Sequence, residues 1–371
     1  MRIFYAAAAS PNPNVPSTLW RDNLYRSLVE MGNEVVEFDY DMRGTFQRLF
    51  AATTPETAQS LAEIRASLGA ALLEQIAAAH RIEPIQLFFS YFYDACVEPA
   101  VIDAINELGI VTVNWYCNGS YQLDLVREIS PHYAWCLVPE RDRLADYAAM
   151  GARPIYCQEA ANPGVYRCLD VPPEFDVTFV GQAYGERPAL IRHLKDQGVD
   201  VRVWGPAWEY HIEWPSRNPI KQVVNRFMKP DGRITFPREM FGGVLSDAQL
   251  VETYNRSKIN LGFATCGETH LTERRISQIR LRDFEVPMSG GFYLAEYTEE
   301  LEEFFEIGRE IVCHHGLEDI AEKVRYYLAH DAERERIRAA GRARCLRDHT
   351  WQKRFEAAFE QMGLRNSPAP A

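Results

Sequence analysis

The stretch "QIRLRDFEVPMSGG", residues 278–291, holds side chains able to grip an anion and a pair of hydroxyls. Read as a helix over about 274–286, it sets Gln278, Arg282 and Glu285 at i, i+4 and i+7, on one face. A carboxylate can accept two neighbouring hydroxyls of a ribose. A guanidinium fork matches phosphate oxygens. Val286-Pro287 reads as the helix end, and Gly290-Gly291 as a place where backbone approaches a ligand closely. An amphipathic helix with a solvated charged face explains the same spacing equally well. A second stretch, "DVTFVGQAYGERPALIRHL" (176–194), reads as strand, glycine turn and helix start, the way a nucleotide-binding α/β domain begins. It is not the dinucleotide pattern. The turn is Gly181-Gln182-Ala183-Tyr184-Gly185, and the next strand ends in Trp204-Gly205 without an acidic residue.

These side chains need a frame, and the frame occurs twice. The first half reads "RIFYAAA", a helix over "STLWRDNLYRSLVEMG" with Ser17 or Thr18 as N-cap and Gly32 as stop, and "NEVVEFDY". A long helix follows around 55–80, then "IQLFFSY", a helix near 97–108 closed by Gly109, "IVTVNWY", "YAWCLV", a helix to Gly151 and "RPIYC". The second half starts again with "DVTFVG" and continues through "VDVRVWG", "KINLGFA", "GGFYLAEY" and "EIVCHH", with helices between and three at the end. Strands alternating with helices predict parallel sheets covered on both faces. A chain of 371 residues is long enough for two cores. The expected fold class is α/β, with two tandem Rossmann-like doubly wound domains facing across a cleft. The domains are expected at 1–165 and 170–350, joined near the proline-containing stretch 158–175. A last helix, 351–362, carries Trp351, Phe355, Ala358, Phe359 and Met362 as one apolar stripe. It is expected to pack back onto the first domain.

Composition narrows the classes. Hydrophobic residues at 47% and charged residues at 25% suit a globular protein in water. A net charge of −12 disfavours general affinity for nucleic acid or anionic lipid. No apolar run approaches the roughly 20 residues of a membrane span. The eight cysteines lie singly without a C-x-x-C pair, so zinc has no support and a reduced, cytoplasmic protein is expected. Asp39 and Asp41 have the D-x-D spacing of a metal pair, but they end a strand of the first domain and read as loop carboxylates. His314-His315 also ends a strand, without ligand company, so no metal is expected.

The string "DVTFVGQAYGERP…VRVWGPAW…SKINLGF…LRDFEVPMSGGFYLAEYTEELEEFFEIGREIV", with "VTVNWYCN" and "QEAANPGVY" before it, resembles the CgeB-like glycosyltransferases, named after a spore-maturation protein. The resemblance spans roughly 85–350. It implies a GT-B fold, a nucleotide-sugar donor held mainly by the second domain and an acceptor held mainly by the first. By the same resemblance Gly181 and Gln182 face the donor phosphates. Arg187 meets them at a helix start, where the dipole favours anions. Trp204 and Gly205 stand beside the base, Lys258 neutralises phosphate, and Glu285 holds the ribose. The loop "ATCGETHLTERR", 264–275, brings Glu268 and His270 to the donor's border.

Two departures matter. Ser277 stands eight residues before Glu285, where many retaining relatives have a Glu. Asn118-Gly119 stands where many CgeB-like sequences have two acidic residues. That leaves Asp94, Asp124 and His270 as candidate catalytic groups, though both aspartates also read as helix caps or surface charges. The expected activity is metal-independent transfer of a sugar from a nucleotide diphosphate-sugar, UDP-type favoured over GDP or dTDP, to a glycan, protein or small-molecule acceptor. A nucleotide-sugar epimerase or hydrolase, and a non-catalytic nucleotide- or sugar-binding protein, are the alternatives. The basic segment 217–238, with Arg217, Lys221, Arg226, Lys229, Arg233 and Arg238, suits an anionic acceptor, a membrane surface or another subunit, and equally a solvated insertion.

Overall fold

The computed structural model describes residues 1–9, 17–51, 55–212 and 234–364, with no account of the side chains of 49–51 and 55–59. Most of the basic segment 217–238 therefore lies outside the described residues. The chain divides into two compact units. Unit 1 is Met1–Val165 with His349–Ala371, and unit 2 is Tyr166–Asp348.

Unit 1 holds β1 (Arg2–Ala6), β2 (Glu34–Glu37), β3 (Leu87–Ser90), β4 (Val111–Trp115), β5 (Trp135–Val138) and β6 (Pro154–Tyr156). They form one sheet, order β2-β1-β3-β4-β5-β6, with parallel pairings throughout. β3 is buried at every residue, as a strand covered on both faces must be. Helices α1 (Arg26–Glu30), α2 (Met42–Ala51), α3 (Pro55–Ile82), α4 (Pro99–Glu107), α5 (Gly119–Gln122) and α6 (Leu144–Ala149) connect the strands. α2 was not expected from the sequence. Asp41 starts it by accepting from Gly44 N at 2.8 Å. One half of the D-x-D pair is thus a helix cap.

Unit 2 holds β7 (Phe175–Val180), β8 (Val201–Trp204), β9 (Ser257–Gly262), β10 (Tyr293–Glu296) and β11 (Val312–His314), order β11-β10-β9-β7-β8, again all parallel. β7 has β8 on one side and β9 on the other. The winding reverses there, and open α/β sheets take ligands beyond the carboxyl ends of the strands at such a point. The helices are α7 (Arg187–Asp196), α8 (Asp247–Arg256), α9 (Leu281–Met288), α10 (Leu301–Phe304), α11 (Leu317–Ala329) and α12 (Asp331–Asp348). Phe179, Ile191, Val203, Ile259, Leu294 and Val324 centre the core.

The boundaries of α9 differ from the reading of a helix over 274–286. It starts at Leu281 because Asp283, three residues past Arg280, turns back and accepts from Arg280 N at 2.7 Å. Residues before it are extended: Ser277 bridges Thr265, and Gln278 N donates to Ala264 O at 3.2 Å. Pro287 does not end the helix but lies inside its last turn. The stop is Gly290, at φ +77°, with Gly291 N returning to Val286 O at 2.9 Å.

The chain returns to unit 1 for α13 (Trp351–Gln361), capped by Thr350 Oγ1. Trp351 meets Trp115 edge-on at 5.2 Å, and Phe355 meets Phe89 at 5.6 Å. The stretch read as a linker is also built in at its start. Asn162 is fully buried and donates to Ser27 Oγ at 3.0 Å and Glu30 Oε2 at 2.9 Å.

Candidate functional site

The expected donor residues gather at the carboxyl ends of β7 and β9. Gly181 leaves β7, donates to Trp204 O at 2.8 Å and accepts from Trp208 Nε1 at 2.7 Å. A Cβ at Gly181 would lie 2.7 Å from both the Phe179 ring and an Arg282 Nη. Gly205, at φ +130°, backs onto the Gly181 carbonyl, so a side chain there would collide with main chain. The two glycines let two strand ends and one guanidinium share a small space.

Arg187 opens α7 and is buried. It donates to Gln182 O at 3.0 Å and Phe263 O at 3.3 Å, and its guanidinium lies 3.8 Å from the Tyr184 ring centroid. Arg187 and Arg282 both lie over Phe179, at 5.3 Å and 5.0 Å. The Nε atoms of both are buried without a partner. Burial, above all, pushes the Arg187 guanidinium down to about 9. Tyr184 opposes the shift, and the positive charges of Arg282 and Arg280 add to it. Arg280 is a site residue the sequence reading missed. Its Nη2 donates to Tyr184 Oη at 3.3 Å and Thr265 O at 3.3 Å. Three arginines therefore converge on one strand end. Arg187 and Arg280 are held largely by carbonyls and rings, whereas around Arg282 burial is outweighed by Tyr254, Tyr293, Glu285 and Asp283, which hold its guanidinium above the ordinary value.

Glu285 is on the same helix as Arg282, three residues on, and is buried. Tyr166 donates to its Oε1, and Tyr254 Oη donates to its Oε2 at 3.4 Å. Burial pushes its carboxyl up to about 7, against the two tyrosines and Arg282. Neither tyrosine was legible as a partner, because each is remote in sequence. The 264–275 loop docks on the β7 turn: Glu268 Oε1 accepts from Gly185 N at 2.9 Å, and His270 Nε2 lies 3.9 Å from Glu268. His270 Nδ1 and Gln278 Oε1 are buried without a partner. Gln278 borders this loop from the extended segment before α9, so it does not share a helical face with Arg282.

Several expected residues stand elsewhere. Lys258 is at the amino end of β9 and pairs with Asp176 at 2.6 Å, at the amino end of β7. That is the edge opposite the glycine turns, so the phosphate role is corrected. Trp204 is buried, its ring packed edge-on against Phe175 at 5.1 Å. The close approach at Gly290 and Gly291 is to the chain itself. Cβ atoms there would meet Cys168 Sγ at 3.2 Å and Asn260 Nδ2 at 2.8 Å. In unit 1, Asp94 accepts from the amides of Glu128 and Ile129, the latter at 3.0 Å, as a cap does. Asp124 is 88% exposed and pairs with Arg127 at 2.9 Å. Gly119 instead leaves room for Glu140, whose Oε2 a Cβ at 119 would meet at 3.1 Å. Burial pushes that carboxyl up to about 8. Among the described residues no group of three or more His, Cys, Asp or Glu is arranged to hold a metal ion, and no helix is long and apolar enough to cross a membrane.

Residues 187–360 match the family model described as glycosyl transferase-like. No curated protein sequence matches the chain. Solved structures resemble it along nearly its full length. Sucrose-phosphate synthase from Thermosynechococcus elongatus superposes with a TM-score of 0.57 at 12% identity, covering 98% of each chain. AviGT4, a glycosyltransferase involved in avilamycin A biosynthesis, gives 0.58 at 14% identity, covering 97% of this chain and 96% of its own. Anabaena HepE in complex with UDP-glucose gives 0.56 at 10% identity, covering 98% and 99%. The fold is that of the GT-B glycosyltransferases, with two Rossmann-like domains.

Proposed function

We propose that this chain, a GT-B-like glycosyltransferase, moves a sugar from a nucleotide diphosphate-sugar bound by unit 2 to an acceptor bound by unit 1. The observation that carries the donor assignment is the set of arginines at the end of β7, Arg187 buried and Arg280 and Arg282 half-buried, two of them over one phenylalanine ring. For Arg187 burial beside two other cations is costly when the site is empty, and an anion sitting between them offsets that cost. A diphosphate supplies that charge, and the positive end of the α7 dipole lies beside it. As the sugar leaves, negative charge grows on the diphosphate, and Arg187, Arg280 and Arg282 are placed to stabilise it.

Glu285 is assigned to the ribose. Its oxygens already accept from Tyr166 and Tyr254, but each carboxylate oxygen has two lone pairs and can accept again. Glu268, His270 and Gln278 border the donor. UDP is favoured as the nucleotide, the one in the HepE complex that shares this fold. Placement in the CgeB-like branch, transfer without a metal, and a cytoplasmic setting are parts of the same reading. The test is calorimetry with UDP and UMP on the wild type and Arg282→Ala. The variant should lose more affinity for the diphosphate than for the monophosphate. Equal losses for the two nucleotides would remove Arg282 from the phosphate site.

A further inference from the structure

Glu285, the carboxyl assigned to the ribose, is reached by phenols from two other segments. Tyr166 donates to its Oε1, and Tyr254 on α8 donates to its Oε2 at 3.4 Å. Both rings are buried. Tyr166 is the first residue of unit 2, directly after the chain crosses from Val165. The segment behind it is clamped to α8. Asn255 Nδ2 donates to Arg167 O at 3.0 Å, and Asn255 Oδ1 accepts from Leu169 N at 2.8 Å. Asn260 Nδ2 donates to the carbonyl of Tyr254 at 3.1 Å. The two phenols thus stand on anchored backbone.

An ionised carboxylate has two lone-pair sites on each oxygen. The tyrosines take one site on Oε1 and one on Oε2. One site remains on each oxygen, which is what a pair of neighbouring hydroxyls requires. A glutamate without such partners turns about its side-chain bonds and must be ordered when a ligand arrives. A side chain held beforehand avoids that loss. Burial, above all, pushes this carboxyl up to about 7, and the Tyr166 hydrogen bond leads the influences that hold it lower. Removing the phenol therefore frees the carboxyl to turn. It also favours the protonated form, which has fewer sites to offer.

We propose that Tyr166 is a positioning residue for the donor: its phenol, with that of Tyr254, sets the Glu285 carboxyl to accept both free hydroxyls of a ribose. Preference for a ribonucleotide then depends on a residue at the crossing from one unit to the next. The proposal rests on the ribose assignment above. The test is calorimetry on the full chain with UDP and with its 2′,3′-dideoxy analogue, which lacks both hydroxyls. Two variants are compared with the wild type. Tyr166→Phe keeps the ring and removes the hydroxyl beside Oε1. Tyr254→Phe does the same beside Oε2.

Hydrogen bonds from two hydroxyls to a charged acceptor should give the wild type a preference for UDP of about tenfold or more. In Tyr166→Phe that preference should shrink by about threefold or more, through weaker UDP, while the dideoxy nucleotide binds as it does to the wild type. A structural role alone would weaken both nucleotides alike and leave their ratio unchanged. A wild-type ratio in Tyr166→Phe, with or without a general loss of affinity, overturns the proposal and leaves the ribose assignment standing. Where Tyr166→Phe does not fold, Tyr254→Phe must show the same fall, and a wild-type ratio there overturns the proposal. Equal binding of the two nucleotides by the wild type would instead refute the ribose assignment, and the proposal with it. Failure of UDP to bind at all would overturn the donor reading on which both depend.

Discussion

Replacing Arg187 with Met separates a ligand-binding arginine from a structural clamp, because the two roles move stability in opposite directions. Burial, with Tyr184 opposing and Arg282 and Arg280 adding, holds this guanidinium at about 9. At about 1.4 kcal/mol per decade of acidity, the empty site disfavours the cation by roughly 4–5 kcal/mol. Methionine removes that cost and retains much of the packing on Tyr184 and Phe179. It also removes the two donors to Gln182 O and Phe263 O. Their loss costs about 1–2 kcal/mol each. The ligand-free protein should then gain up to about 3 kcal/mol, at about 2–4 °C per kcal/mol for a unit of this size. Nucleotide binding should move the other way. Losing a charge-assisted bond to phosphate costs roughly 1.5–3 kcal/mol, about 10- to 150-fold in the Kd for UDP. Thermal melts with and without UDP read both effects. A variant that melts lower than wild type and binds UDP as well would make Arg187 a clamp between two carbonyls, and the phosphate assignment would fail.

Glu285 is protonated in the fold up to about pH 7 but ionises near 4.3 once unfolded. Its contribution is complete below the unfolded value and is lost as pH rises through 7, roughly 3 kcal/mol in all. Urea midpoints from pH 5 to 8 should fall in the wild type and flatten in Glu285→Gln; an unchanged slope would assign the loss to another group. Truncation after His349 removes the buried Trp351, Phe355 and Phe359. Each large aromatic is worth about 3–5 kcal/mol, so unit 1 should lose its cooperative melt. Retention of the wild-type melting temperature would contradict this. Transfer should continue in EDTA, and activity abolished by EDTA and restored by Mn²⁺ or Mg²⁺ would refute the metal-free reading.

The strands were legible because buried parallel strands are short, β-branched or aromatic runs bounded by glycine and proline, as in "DVTFVG" and "VDVRVWG". The helix carrying Arg282 and Glu285 was legible as an element but not in its limits. Its start depends on Asp283 turning back to Arg280, and its end on Gly290. Reading the run as one long helix put Gln278 on the wrong element and hid Arg280, which stands at the N-cap where no usual capping residue marks the start. Lys258 was misassigned for want of strand polarity. As the second residue of β9 it had to lie at the amino edge, away from any ligand at the carboxyl ends. The tyrosines that meet Glu285 come from residues 166 and 254, and no local pattern announces a contact made across such separations.

Because the chain leaves unit 1 after Val165 and re-enters it at His349, the segment that completes unit 1 is synthesised only after all of unit 2. At about 5–20 residues per second, the ribosome takes roughly 10–40 s over that interval. Until α13 emerges, the aromatic surface it covers, including Trp115 and Phe89, has no cover from that helix. The nascent chain thus carries an unfinished first half while its second half folds. Chaperone demand should be concentrated in that window, on the half made first.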